Sequence, residues 1–226
     1  MIGIFDSGVG GMSACLEVRR LMPKCDILYL ADRKNAPYGT KAPDELSALV
    51  KRDVKRLRDF GVSEILVACC TASTVAHTLS DEEQRGVLPI ISPAAKVAAR
   101  LGRITVIATE HTVRSSAFGR EIRRLSPYAR VQEIPCQRLV ALVEEGSRDG
   151  NVAMECEEIL AEVARAAKEH SSEGIILGCT HFSHLENTIK ALLPRVEIIN
   201  PARLGAEALV RLVKDVTGTG RIIYTE

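Results

Sequence analysis

One pattern constrains the fold more than any other: a short apolar run ending in a cysteine and then hydroxyl residues, which the chain contains twice. Glu64-Ile65-Leu66-Val67 leads into Ala68-Cys69-Cys70-Thr71-Ala72-Ser73, and Gly174-Ile175-Ile176-Leu177 leads into Gly178-Cys179-Thr180-His181. Runs this short and this rich in β-branched residues read as strands buried on both faces, which is the habit of parallel sheets. The small and hydroxyl residues that follow suit the N-terminus of a helix. The same strand-to-helix alternation continues along the whole chain, so the expected class is α/β, with parallel sheets and helices on both faces.

In order, strands are expected at Ile2 to Phe5, Ile27 to Ala31, 64–67, Pro89 to Pro93, Ile104 to Ala108, Val131 to Ile134, 174–177, Val196 to Ile199 and Arg221 to Glu226. Helices are expected at Met12 to Leu21, Asp44 to Phe60, from the first cysteine motif to about Leu79, after Cys136, and at Val152 to Lys168, Leu185 to Leu193 and Leu204 to Val216. In the Asp44 to Phe60 helix, Leu46, Leu49, Val50, Val54 and Leu57 share a face, and the basic residues opposite read as a solvated surface. Pro89-Ile90-Ile91-Ser92-Pro93 reads as a strand closed by proline and as the passage to a second half.

The strand ends carry the chemistry. Asp6-Ser7-Gly8-Val9-Gly10-Gly11 joins a strand to a helix and could cradle an anion, although a tight turn explains its glycines equally well. It lacks the lysine of a P-loop and fails G-x-G-x-x-G, which argues against a nucleotide. Asn35-Ala36-Pro37-Tyr38-Gly39-Thr40 is turn-rich, and Thr109 to Ser115 is a third hydroxyl cluster at a helix start. A cysteine at the carboxyl end of a strand lies where open α/β sheets bind ligands, and the helix end favours its thiolate. Either cysteine alone reads as a packing residue, since free cysteine is among the most buried types. Two in matched surroundings, 110 positions apart, read as two half-sites for one substrate. A matched acid and base on opposite faces of a carbon is what racemisation needs.

Composition removes other classes. Thirty basic against 29 acidic residues leave no global field for nucleic acid, and no apolar run approaches a membrane span. Seven cysteines, an odd number in a chain long enough for a sizeable core, fit reduced thiols and a cytoplasmic location. Met1 leads directly into the first strand, so no signal peptide is expected.

Taken in order, Phe5-Asp6-Ser7-Gly8-Val9-Gly10-Gly11, Ala36-Pro37-Tyr38-Gly39, Ala68-Cys69-x-Thr71-Ala72-Ser73 and Leu177-Gly178-Cys179-Thr180-His181 resemble the glutamate racemases of the cofactor-independent aspartate/glutamate racemase superfamily. The resemblance covers essentially the whole chain. It implies two similar parallel-sheet α/β domains, 1–92 plus 200–226 and 93–199, with the active site in the cleft between them. It implies interconversion of L- and D-glutamate for peptidoglycan without cofactor or metal, and homodimers are the family habit. By resemblance Cys69 and Cys179 are the catalytic acid/bases, Asp6 assists Cys69, and His181 with Glu144 assists Cys179. Ser7, Pro37, Tyr38, Gly39, Cys70, Thr71, Thr112 and Thr180 fall at substrate-binding positions.

There are departures. Cys70 stands where the family usually has a substrate-contacting asparagine, Phe182-Ser183 replaces Tyr-Pro, and Asn200-Pro201 replaces Asp-Ser. The chain also stops where family members usually continue. Both cysteines are kept, against the decarboxylase-type relatives that keep one. Cys70 leaves open a preference for a related acidic amino acid such as aspartate, or a racemase-derived binding or regulatory protein with weakened catalysis. A thiol metal site built on Cys69, Cys70, Cys179 and His181 is disfavoured, because no C-x-x-C pair occurs. Cys15, Cys25, Cys136 and Cys156 read as packing residues, and His77, His111 and His170 as surface or satisfied ones.

Overall fold

The computed structural model describes residues 1–146, 150–213 and 218–225. These fall into two compact units, Met1–Pro93 together with the chain from Ala202 onward, and Ala94–Pro201. In the first unit the order is β1 (Ile2–Asp6), α1 (Met12–Leu21), β2 (Ile27–Ala31), α2 (Pro43–Asp59), β3 (Ile65–Val67), α3 (Cys70–Ser73), α4 (Asp81–Gln84), β4 (Val87–Pro89) and the start of α5 (Ile91–Ala98). The second unit continues with β5 (Arg103–Ala108), α6 (Glu110–Ser115), α7 (Ala117–Leu125), β6 (Arg130–Pro135), α8 (Gln137–Glu145), α9 (Gly150–Glu169), β7 (Gly174–Gly178), α10 (Glu186–Leu192) and β8 (Glu197–Ile199). Helix α11 (Pro201–Leu212) and β9 (Ile222–Thr225) return to the first unit.

Both sheets are parallel throughout, as the buried apolar runs require. The first has the order β4-β3-β1-β2-β9 and the second β6-β5-β7-β8. In each unit the opening strand sends the chain first to one neighbour and then back across to the other. The strand order therefore reverses beside β1 and β3 in one unit and beside β5 and β7 in the other. Open sheets bind ligands at such reversals, outside the carboxyl ends of the strands. Cys69 lies two residues after β3 and Cys179 immediately after β7, the third strand of each unit.

Packing explains why these elements form. The α2 face of Leu46, Val50, Val54 and Leu57 is fully buried against Phe5, Leu28, Ile65 and Val67 of the first sheet. Each such side chain contributes about 1.5–3 kcal/mol by leaving water. In the second unit Leu139, Leu142, Leu160 and Val163 pack on Ile107, Ile175 and Leu177 in the same way.

Several expected boundaries move. The single helix expected from the first cysteine motif to Leu79 is broken into α3, a short 3-10 turn at Ala76–Thr78 and α4. Hydroxyls compete with the helix there, since Thr74 and Thr78 donate to the carbonyls of Thr71 and Val75. Ser80 then starts α4 with a reciprocal capping box to Glu83. The strand expected at 89–93 lies earlier, at β4, and Pro93 sits in the first turn of α5, where a missing N–H costs nothing. The last expected helix begins at Pro201 rather than Leu204, and its expected end at Val216 lies outside the described residues, as does Glu226. The basic residues of α2 are not all solvated. Arg52 pairs with Asp32 and Asp53, and Arg58 donates to the carbonyls of Val62, Ser63 and Arg85.

Candidate active site

Parallel pairing places Phe5 beside Val67, so the chain leaves β1 and β3 at the same level. The Ser7 hydroxyl and the Cys69 sulfur are thereby brought to 3.6 Å. Cys69 is extended and serves as the N-cap of α3, its sulfur accepting the Ala72 N–H at 3.4 Å. Asp6 is fully buried and accepts the Gly8 N–H at 2.8 Å, which folds the glycine loop back over it. That loop needs Gly11, because a Cβ there would lie 2.6 Å from the Asp6 Cβ and 3.0 Å from the Tyr29 hydroxyl. The Tyr29 hydroxyl in turn donates to the Gly8 carbonyl at 2.9 Å. Burial and then the Asp6 carboxylate push the Cys69 thiol up to about 11, although the Ala72 N–H and Ser7 pull the other way. The resting sulfur is a protonated thiol, ready to donate.

Cys70 and Thr71, at the start of α3, are buried at 2% and 3% exposure. Pro37, Tyr38 and Gly39 lie beyond β2, where Tyr38–Thr40 forms a 3-10 turn. The Tyr38 side chain is buried, and its hydroxyl is engaged away from solvent, 2.6 Å from Asp32 Oδ2 and 2.9 Å from Asp53 Oδ2. Arg52 completes this cluster, which the sequence reading overlooked. A signal was present: Asp53 follows Val50 by three positions and precedes Leu57 by four, so it falls on the apolar stripe of α2.

The second unit repeats the arrangement with different residues. Ala108 pairs with Gly178, which sets the ends of β5 and β7 level. Gly178 allows the close approach, since a Cβ there would meet the Ile107 carbonyl at 2.8 Å. Thr109 caps α6, accepting the Thr112 N–H at 3.3 Å and donating its hydroxyl to that of Thr112 at 2.9 Å. Cys179 is 7% exposed, and its sulfur lies 3.5 Å from His181 Nδ1. Glu144 Oε1 lies 3.0 Å from His181 Nε2 but outside hydrogen-bond geometry, and Nε2 has no hydrogen-bond partner among the described residues. Glu144 is itself largely exposed. Thr180 is buried beside the sulfur at the head of the 3-10 segment Thr180–Leu185. The imidazole thus has the thiol 3.5 Å from one nitrogen and the carboxylate 3.0 Å from the other.

The other thiols are packed away. Cys15 and Cys136 are buried, and burial pushes them up to about 11 and about 12. Among the described residues no cluster of three or more His, Cys, Asp or Glu could hold a metal ion.

A family model described as Asp/Glu/Hydantoin racemase matches residues 12–209. The chain belongs to that family. Within it, the chain is 37% identical over 205 residues to the glutamate racemase of Gloeobacter violaceus, covering 89% of this chain and 76% of that protein. It is 34% identical to the glutamate racemase of Persephonella marina over 97% of this chain and 85% of that protein. The crystal structure of Francisella tularensis glutamate racemase in complex with D-glutamate superposes with a TM-score of 0.87 at 28% identity, covering 99% of this chain and 86% of that one. The two parallel-sheet units of this racemase-family chain are therefore a shared architecture.

Proposed function

We propose that the protein is a cofactor-independent glutamate racemase in which Cys69 and Cys179 are the acid/base pair. The observation that carries this reading is the repetition: each unit puts one buried thiol at the reversal of its strand order, beside a titratable side chain, Asp6 in one and His181 in the other. In one direction the thiolate of one cysteine removes the α-proton and becomes a thiol. The thiol of the other then delivers its proton to the opposite face of the planar carbanion and becomes a thiolate. In the reverse direction the roles exchange. A thiol suits this work because, unlike a lysine, it is neutral when protonated and so adds no charge beside the substrate's carboxylates. Asp6 accepts the Cys69 proton, and His181, supported by Glu144, relays that of Cys179. The hydroxyls of Ser7, Thr71, Thr112 and Thr180 and the Pro37–Gly39 segment bind the substrate's carboxylates and ammonium and stabilise the developing carbanion.

D-Glutamate made in this way would supply peptidoglycan and so cell shape, from the cytoplasm, and the active species would be a homodimer. Buried Cys70, at a position where the resembled family uses asparagine, favours a second reading in which aspartate is preferred or catalysis is weakened. Incubating the protein with each enantiomer of glutamate and of aspartate, followed by circular dichroism, separates these readings. Loss of optical activity from both glutamate enantiomers, with equal kcat/KM in the two directions, is the expected result.

A further inference from the structure

The cluster beneath Tyr38 contains more acceptors than its hydrogens can serve. Asp32, at the end of β2, and Asp53, on α2, are both nearly or fully buried. Asp32 Oδ2 receives the Tyr38 hydroxyl at 2.6 Å and Arg52 Nη2 at 2.6 Å, and Asn35 Nδ2 reaches Oδ1 at 2.8 Å. That carboxylate is fully satisfied as an anion. Asp53 Oδ1 receives Arg52 through Nη2 at 2.7 Å and Nε at 3.0 Å, whereas among the described residues its Oδ2 meets only the Tyr38 oxygen, at 2.9 Å. The tyrosine has one hydrogen, and the shorter contact to ionised Asp32 takes it. The remaining contact needs a hydrogen of its own, and Asp53 Oδ2 is the atom that can carry it.

We propose that protonated Asp53, through Tyr38 and together with Arg52 and Asp32, is a positioning residue that fixes the Pro37–Gly39 segment for substrate binding. The inference rests on the proposed function for the role of that segment. The charge balance supports it. With Asp53 neutral, Arg52 and Asp32 form one compensated pair, whereas with Asp53 ionised a second buried negative charge has no partner. Burial raises Asp53, partly opposed by Arg52 and Tyr38. Burial also acts to raise Asp32, but the hydrogen bonds from Tyr38, Asn35 and Arg52 outweigh it and hold that carboxyl below its ordinary value. A carboxyl on the apolar stripe of α2 is retained because it donates a hydrogen bond.

Asparagine at position 53 should serve as well as aspartate. Its Oδ1 accepts from Arg52 and its Nδ2 donates to the Tyr38 oxygen, the same polarity as a protonated carboxyl. The full chain and its Asp53→Asn, Asp53→Leu and Arg52→Met variants are compared by glutamate racemisation and by amide hydrogen exchange of residues 38–41. Asp53→Leu and Arg52→Met should raise KM for glutamate about tenfold with kcat within about threefold, and residues 38–41 should exchange faster. Asp53→Asn should match the parent chain in KM and in exchange. A KM and an exchange rate in Asp53→Asn as perturbed as those expected of Asp53→Leu would overturn the proposal, and this comparison suffices if Asp53→Leu does not fold. Unchanged KM and exchange in Asp53→Leu would overturn it too. A parent chain that does not racemise glutamate defeats the proposed function instead, and the exchange comparison then still decides whether Asp53 fixes the segment.

Discussion

The Ser7 hydroxyl lies 3.6 Å from the Cys69 sulfur although 62 positions separate the two in the chain. Two adjacent parallel strands, β1 and β3, end level with one another and bring them together. The contact ties a residue of the glycine loop to the thiol that the proposed mechanism makes an acid, and much of the chemistry can be tested from there.

Removing either thiol should stop turnover. Cys69→Ala and Cys179→Ala should each lower kcat by at least about 10³-fold, since each would delete one half of the proposed acid/base pair. In deuterated water the unmodified chain should place deuterium at Cα of early product while leaving the remaining substrate nearly unlabelled. Mass spectrometry of the separated enantiomers reads this directly, and equal early labelling of both would mean one exchangeable base rather than two.

The Cys69 thiol should respond to Asp6. Its proton is held up to about 11, first by burial and then by the neighbouring carboxylate. Asp6→Asn removes the second cause, so the thiol should ionise at lower pH and react faster with iodoacetamide near pH 8. Peptide-resolved alkylation rates across pH 7–11 measure the shift without any need for activity. A slower Cys69 in Asp6→Asn would reverse the assigned sign.

Alkaline stability follows from the buried thiols. Cys15 is raised from 9.0 to about 11, so the folded state keeps a proton that the unfolded chain releases. Between those values the unfolded state binds fewer protons, and stability falls as pH rises. Below pH 9 both states are protonated and the effect vanishes. Cys15→Ala should therefore flatten the decline between pH 9 and 11 by on the order of 2 kcal/mol, read by urea titration at each pH. A slope as steep as that of the parent chain would show that Cys15 is not protected.

Glu144→Gln should be mild and symmetrical. Glu144 is 56% exposed, so solvent already screens its attraction to His181, and a loss of at most about tenfold in kcat/KM is expected. Enantiomers have equal free energies, so kcat/KM must remain the same from L- and from D-glutamate. Only kcat and KM taken separately can diverge between the two directions. Circular dichroism progress curves from each enantiomer test this, and a hundredfold loss would place Glu144 in the proton transfer itself.

Cys70→Asn should improve glutamate turnover. A thiol is a weak donor and acceptor, whereas an amide offers two donors and one strong acceptor. One restored hydrogen bond to a charged group amounts to about 1.5–3 kcal/mol, or roughly ten- to a hundredfold in kcat/KM. Steady-state kinetics with glutamate and aspartate in parallel give the answer. A fall for glutamate in a variant of undiminished thermal stability would mean that the pocket is tuned to the thiol.

The central strands were legible because parallel sheets bury both their faces, and runs such as Ile175-Ile176-Leu177 are fully buried, whereas the edge strand β4, only partly buried, was placed too late in the chain. The long helices α2 and α9 were legible from their period. The region after Cys69 was not, because Thr74, Thr78 and Ser80 spend their hydroxyls on local carbonyls and caps, a choice that apolar spacing does not encode. The two cysteines stood out from motifs at strand ends, whereas the roles of the proposed site residues, Glu144 on α8 among them, came from the family resemblance. The cluster of Asp32, Arg52 and Asp53 was missed because Asp32 reaches it from the end of β2, 20 positions before Arg52, and Asp53 was passed over among apolar neighbours on α2.

Because the sulfur of Cys69 also accepts the Ala72 N–H in the first turn of α3, the residue answers to two demands that evolution can separate. A descendant that abandoned turnover would not be free to place any residue there. Alanine would leave the helix uncapped, at a cost of about 1 kcal/mol, whereas serine, threonine, aspartate or asparagine would keep it. A lineage drifting from catalysis toward simple ligand binding should therefore carry a small oxygen-bearing side chain at this position, as a trace of its ancestry.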